Sequence, residues 1–215
     1  MNFKVFVRLL KRSEELANQA GTPAIVARVY KERVEGPANA FLSANDTLRT
    51  VLGDNSKENA EAASALKAID KPYSVARCAA LAYMPHLVLP ETLKAVRTDT
   101  DKMDAIESLQ EVLEANGAAG WSQDLLGGDF GRLAPDTIRE IDEAIQADAS
   151  LTAARRARAQ AFGPAYEAYL SFKRVVRAAC GSVSREYRRI HMRSTESEEL
   201  DEEPTPSAEP TAPTA

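Results

Sequence analysis

Residues 164–190 read PAYEAYLSFKRVVRAACGSVSREYRRI, and within them Tyr169, Lys173, Val176, Cys180, Val183, Tyr187 and Ile190 recur at alternating steps of four and three. Six of those seven are apolar or semi-apolar, so the spacing predicts a helical packing seam about 22 residues long. Gly181 sits inside it as a candidate bend. Arg174, Arg177, Arg185 and Arg188 fall within about an 80° arc of the same helical wheel, opposite the seam. A basic stripe on a solvent face follows from that placement.

The rest of the chain reads the same way. Phe3, Phe6, Val7 and Leu10 share one face of a helix predicted over 3–20, with Lys4, Arg8, Lys11 and Arg12 opposite. Gly21 stops it, and Thr22-Pro23 supplies an N-cap and a proline at the first helical position. A second helix runs to about Leu52, with Gly36-Pro37 expected to kink or interrupt it. Gly53-Asp54-Asn55 closes that segment. Ser56 to about Tyr83 is Ala-rich helix, with a break expected near Lys71-Pro72. Pro85 and Pro90 bound an extended connector. Met103, Ile106, Leu109 and Leu113 stripe a helix from Thr100 to Ala115, capped by 98–101. Residues 117–135 are expected as a Gly-rich loop, with Pro135 starting the next helix. No alternating strand pattern competes.

An internal repeat is visible. Gly36-Pro37-Ala38 matches Gly163-Pro164-Ala165, and Leu42-Ser43 matches Leu170-Ser171 after a one-residue insertion. Over 9–59 against 136–187, 15 of 49 aligned pairs are identical. The expected fold is therefore all-α, an up-and-down helical bundle of five to seven helices. The repeat reads as two pseudo-symmetric helical hairpins with Gly-Pro-kinked long helices. The bundle domain is expected over 1–193.

Charge is unevenly placed along the 215 residues. Residues 1–150 hold 17 basic and 23 acidic groups, 151–193 hold 10 and 2, and 194–215 hold none and 7. The last segment is Ser, Thr, Glu, Pro and Ala with one large apolar residue, Leu200. Such a composition cannot offset ordering entropy, so a disordered acidic tail is expected over 194–215.

Several function classes are excluded. No run approaches the roughly 20 apolar residues of a membrane span. Met1 to Arg12 lacks the apolar core of a secretory signal. Two cysteines, Cys78 and Cys180, cannot form a disulfide framework and fit a reducing, cytoplasmic location. They read as small core residues. His86 and His191 lack the Glu-x-x-His spacing of a di-iron bundle and the paired spacing of a zinc site. His86 reads as a plug or cap of the connector. Asp99 to Asp104 fails as a calcium loop, since the glycine position is Asp104 and the twelfth is Gln110. No nucleophile elbow, phosphate loop or dinucleotide fingerprint occurs, and Asp129-Phe130-Gly131 stands without the rest of a kinase set. Trp121 reads as an anchor packed on the bundle.

The expectation is a non-catalytic helical interaction or scaffolding protein with no cofactor and no metal, engaging a protein partner or itself. The alternative is polyanion or nucleic-acid binding through Arg174, Arg177, Arg185, Arg188 and Arg189, with the acidic tail competing in cis. Residues 3–12 also carry the pattern of a peripheral membrane helix, but the repeat places them in the bundle.

Overall fold

The computed structural model describes residues 2–96 and 98–191. Every regular element among them is helical: α1 (Phe3–Ala17), α2 (Ala24–Val29), a π-helical turn (Tyr30–Val34), α3 (Glu35–Tyr83), α4 (Asp99–Ala115), α5 (Gly120–Gly127), α6 (Asp129–Cys180) and α7 (Arg185–Ile190). The chain divides into two compact units. The first is Met1–Asn45 with Ala157–Ala215, and the second is Asp46–Arg156. The divisions fall inside α3 and inside α6. The expected tail, 194–215, lies outside the described residues.

In the first unit, Asn2 opens α1 by accepting the Lys4 N–H on its side chain. Leu9, Leu10 and Leu16 from α1 and Tyr169, Phe172 and Val176 from α6 are buried together. At the centre, Phe6 meets the rings of Phe41, Phe162, Tyr166 and Tyr169 at 5.0–5.9 Å. The Arg158 guanidinium lies 4.3 Å above Phe3. Phe6 and Leu10, the face that could have met a membrane surface, are 0% and 1% exposed in this core. No helix among the described residues is long and apolar enough to cross a membrane.

The second unit buries Ile69, Tyr73 and Ala76 of α3 against Ile106, Leu109 and Leu113 of α4 and Phe130 and Ile141 of α6. Thr98 caps α4 by accepting the Asp101 N–H, as its sequence suggested. Tyr73 Oη donates to Glu91 O at 3.2 Å and Arg77 Nε to Pro90 O at 2.8 Å, which fastens the connector after Tyr83 to α3 at Pro90 and Glu91.

Several sequence expectations need correction. The helix after Pro23 is not interrupted at Gly36-Pro37. Instead a π-helical turn precedes them, with the Glu35 N–H donating to Tyr30 O five residues back. A proline ring crowds the carbonyl four residues earlier, here Arg33, which lies in that widened turn. Gly53-Asp54-Asn55 does not end the segment, and α3 also passes through Pro72. Residues 117–135 are not one loop, since α5 forms and α6 starts at Asp129. Gly163-Pro164 lies inside unbroken α6. The turn at Gly21-Thr22-Pro23 has no counterpart at Asp148-Ala149-Ser150, which lack Gly and Pro and continue α6. Gly53 continues its helix, whereas its aligned partner Gly181 ends one. The two segments therefore do not form equivalent hairpins.

Candidate functional site

The seam over 169–190 is broken at Gly181. Its φ of +94° is accessible mainly to glycine, and its N–H closes α6 on Arg177 O at 3.0 Å. Ser184 then caps α7 by accepting the Tyr187 N–H at 3.0 Å. Lys173 Nζ lies 6.0 Å from the centre of the Tyr187 ring, and Tyr169 Oη donates to Ile190 O. Both contacts require α7 to fold back along the end of α6. Ile190 is fully buried there.

This turn redistributes the predicted arginines. Arg174 and Arg177 leave from α6, Arg185 and Arg188 from α7, so they do not form one helical stripe. All four are exposed and make no ion pair among the described residues. Arg189 is different. Its guanidinium pairs with Glu15 at 2.8 Å and donates to Gln19 at 2.9 Å, clamping α7 to α1. It is therefore not one of the exposed arginines without an ion pair among the described residues. Burial also pulls the Lys173 ammonium below its ordinary value.

Grouped by fold, charge separates more sharply than along the chain. Through residue 191 the first unit holds 14 Lys and Arg against 6 Asp and Glu, net +8. The second holds 12 against 19, net −7.

A carboxylate cluster in the second unit escaped the sequence reading. Oxygens of Glu58 on α3 and of Glu140 and Glu143 on α6 lie within 4.8 Å of one another. Three oxygens at that spacing suit a hard cation such as calcium or magnesium. Arg139 already bridges Glu140 at 2.8 Å and Glu143 at 3.5 Å, and Lys57 pairs with Glu58 at 3.1 Å. The Glu140-x-x-Glu143 spacing was readable, but its third member is 82 residues away.

Cys78 is exposed, not a core residue. It is two residues from both Ala76 and Ala80, which puts it on the opposite side of α3 from the buried Tyr73, Ala76 and Ala80 row. His86 is exposed and plugs nothing. Cys180 is partly buried, and burial followed by Glu186 pushes its thiol up, away from a nucleophilic thiolate. Trp121 sits on α5, packed against the core and stacked on Tyr83 at 4.9 Å.

The tyrosines give a pH signature. Burial first, then Glu14 and Glu35, push Tyr30 from an ordinary value of 10.0 up to about 12. Tyr169 is also raised, by burial and then by Tyr166 and Tyr187. The fold thus favours the neutral phenols, and the unfolded chain loses its protons first. Stability from this source is complete below about pH 10 and falls as pH rises towards 12. The urea midpoint should drop between pH 9 and pH 11, and drop less in Tyr169→Phe. Equal midpoints at the two pH values would contradict the assignment.

No family model matches the chain, and no curated protein or solved structure is significantly similar to it.

Proposed function

We propose that the protein is a non-catalytic helical interaction module whose first unit takes a polyanion on Arg174, Arg177, Arg185 and Arg188. The observation that carries this reading is that four exposed guanidinium groups, from two helices folded back on each other, have no acidic partner among the described residues. An unpaired guanidinium fork suits phosphate oxygens bidentately. The net charge of the first unit adds a long-range attraction. Backbone charge, not base identity, is what such a face reads, because among the described residues no exposed aromatic lies between Arg174 and Arg188 and Tyr187 there is half-buried.

The test is fluorescence anisotropy with a labelled single-stranded oligonucleotide across salt. Four phosphate contacts give a log–log slope of about −3 and an affinity loss of about 50-fold between 50 and 200 mM salt. Arg177→Ala and Arg188→Ala should each reduce the slope by about 0.7, whereas Arg189→Ala should leave it unchanged. Removing 194–215, with its 7 acidic residues, should tighten binding. If the shortened chain does not bind at 50 mM salt, the polyanion reading fails. Self-association, read by light scattering on a sizing column, then becomes the leading role.

A further inference from the structure

A different face of the first unit carries a second binding feature. A cavity of about 800 Å³ lies at the π-helical turn, lined by Asn18 at the end of α1, Arg28, Tyr30, Lys31, Glu32 and Glu35. That volume is within the range of small-molecule sites, roughly 300–1,000 Å³. π-helical turns are frequent at functional sites, and this one, widened ahead of Pro37, forms a wall of the cavity.

Tyr30 is the informative residue. It is 5% exposed, with its ring edge-on to Phe172 at 5.5 Å. Its hydroxyl has no hydrogen-bond partner among the described residues, and the side chain lines the cavity. The hydroxyl oxygen is not sealed off, so it is open to solvent in the cavity and can take a ligand's polar group there. The charged walls narrow the choice. Glu32 and Glu35 make no ion pair among the described residues, and neither do Arg28 and Lys31, although all four border one space. Opposite charges that share a cavity and leave each other unpaired suit a ligand that carries both signs.

The acidic side is local. The first unit holds only 6 acidic residues through position 191, and Glu14, Glu32 and Glu35 are three of them. Glu14 and Glu35 both act on the Tyr30 hydroxyl, so carboxylates bear on that end of the cavity within a unit that is positive overall. The carbonyl end of α1, at Ala17 and Asn18, adds the negative pole of a helix dipole.

We infer that this cavity binds a small zwitterion of amino-acid type, its primary ammonium taken by the Tyr30 hydroxyl and the Glu32 and Glu35 carboxylates, and its carboxylate by Arg28 and Lys31. The ammonium donates to the phenol oxygen and the two acids, and the guanidinium and Lys31 ammonium donate to the ligand carboxylate. The site is separate from the arginines proposed to hold a polyanion, so either reading can fail alone.

Three four-carbon probes test it by calorimetry on the full chain: 4-aminobutyrate, putrescine and succinate, which carry one of each charge, two ammonium groups and two carboxylates. 4-Aminobutyrate should bind about tenfold more tightly than the other two, the size of one charge-assisted hydrogen bond. Tyr30→Phe should weaken it by about tenfold as well. That variant keeps the ring on Phe172 and removes a solvent-reaching hydroxyl with no partner among the described residues, so its melting temperature should not change. Glu35→Gln, at an exposed position, should weaken 4-aminobutyrate while leaving succinate unaffected. No heat with 20 mM 4-aminobutyrate, equal binding of putrescine or succinate, or full affinity in Tyr30→Phe would each overturn the assignment.

Discussion

Phe6→Ala is expected to lower the stability of the protein by about 3–5 kcal/mol, the range for removing a buried aromatic ring from a core that cannot collapse. Phe6 is fully buried and touches four other rings. Those rings come from α3 and α6, so the void would be walled by long helices that cannot close on it independently. Aromatic pairs also carry about 0.5–1.5 kcal/mol beyond the area they bury. Urea unfolding followed by far-ultraviolet circular dichroism should show a lower midpoint at unchanged slope. Leu52→Ala, at a position 44% exposed, is the control and should cost less than about 0.5 kcal/mol. The same experiment decides what α1 is for. If Phe6→Ala cost as little as the control, the apolar face of α1 would not be a core face, and a membrane-surface role for residues 3–12 would return.

What could be read in advance was what local chemistry dictates. The apolar face of α1, the Thr98 cap, the stripe of α4 and the Pro85–Pro90 connector all follow from spacing and side-chain type, and the structure has them. The helix breakers misled because their penalties are small beside packing. Gly53 costs about 1 kcal/mol in a helix interior, and Leu48 and Val51 just before it pack with Leu151 and Ala154. A proline costs about 3 kcal/mol, and Pro164 is followed by Ala165, Tyr169, Phe172 and Val176, all buried. Several buried side chains at about 1.5–3 kcal/mol each outweigh one lost hydrogen bond. Gly181 behaved oppositely, because Val183 beyond it is 76% exposed and offers no packing to carry α6 onward. The candidate sites divide along the same line. The arginines were legible as charges, but which of them stay unpaired depends on Glu15 and Gln19, about 170 residues from Arg189. Tyr30 gave no sign at all, since an unpartnered hydroxyl is a fact about its neighbours.

Gly131→Ala should be the most damaging glycine substitution in the second unit, at about 3 kcal/mol, near the upper end of ordinary overpacking. The reason is space, not backbone angle. A Cβ at Gly131 would lie 1.9 Å from Leu126 O, 2.6 Å from Leu126 C and 2.8 Å from Leu126 Cα. All three are backbone atoms, so no side-chain rotation relieves the contact. Nor is there slack in the chain, because Gly128 alone separates Gly127, the end of α5, from Asp129, the start of α6. α5 is held from its other side as well: Ser122 Oγ donates to Leu113 O, and Leu125 and Leu126 pack on the core. The strain must therefore open α5 or shift the first turn of α6 with Phe130. Trp121 on α5 is the single tryptophan of the chain, and its stack on Tyr83 reports either movement. Its emission should shift to the red and the urea midpoint should fall. Gly53→Ala is the opposite case. A Cβ there meets nothing within 4 Å, the site lies inside α3 and no proline follows it, so alanine should add about 0.5–1 kcal/mol. Opposite signs at two helical glycines of one chain are the outcome that close backbone approach requires, and a silent Gly131→Ala would mean that α5 does not rest on α6 at this point.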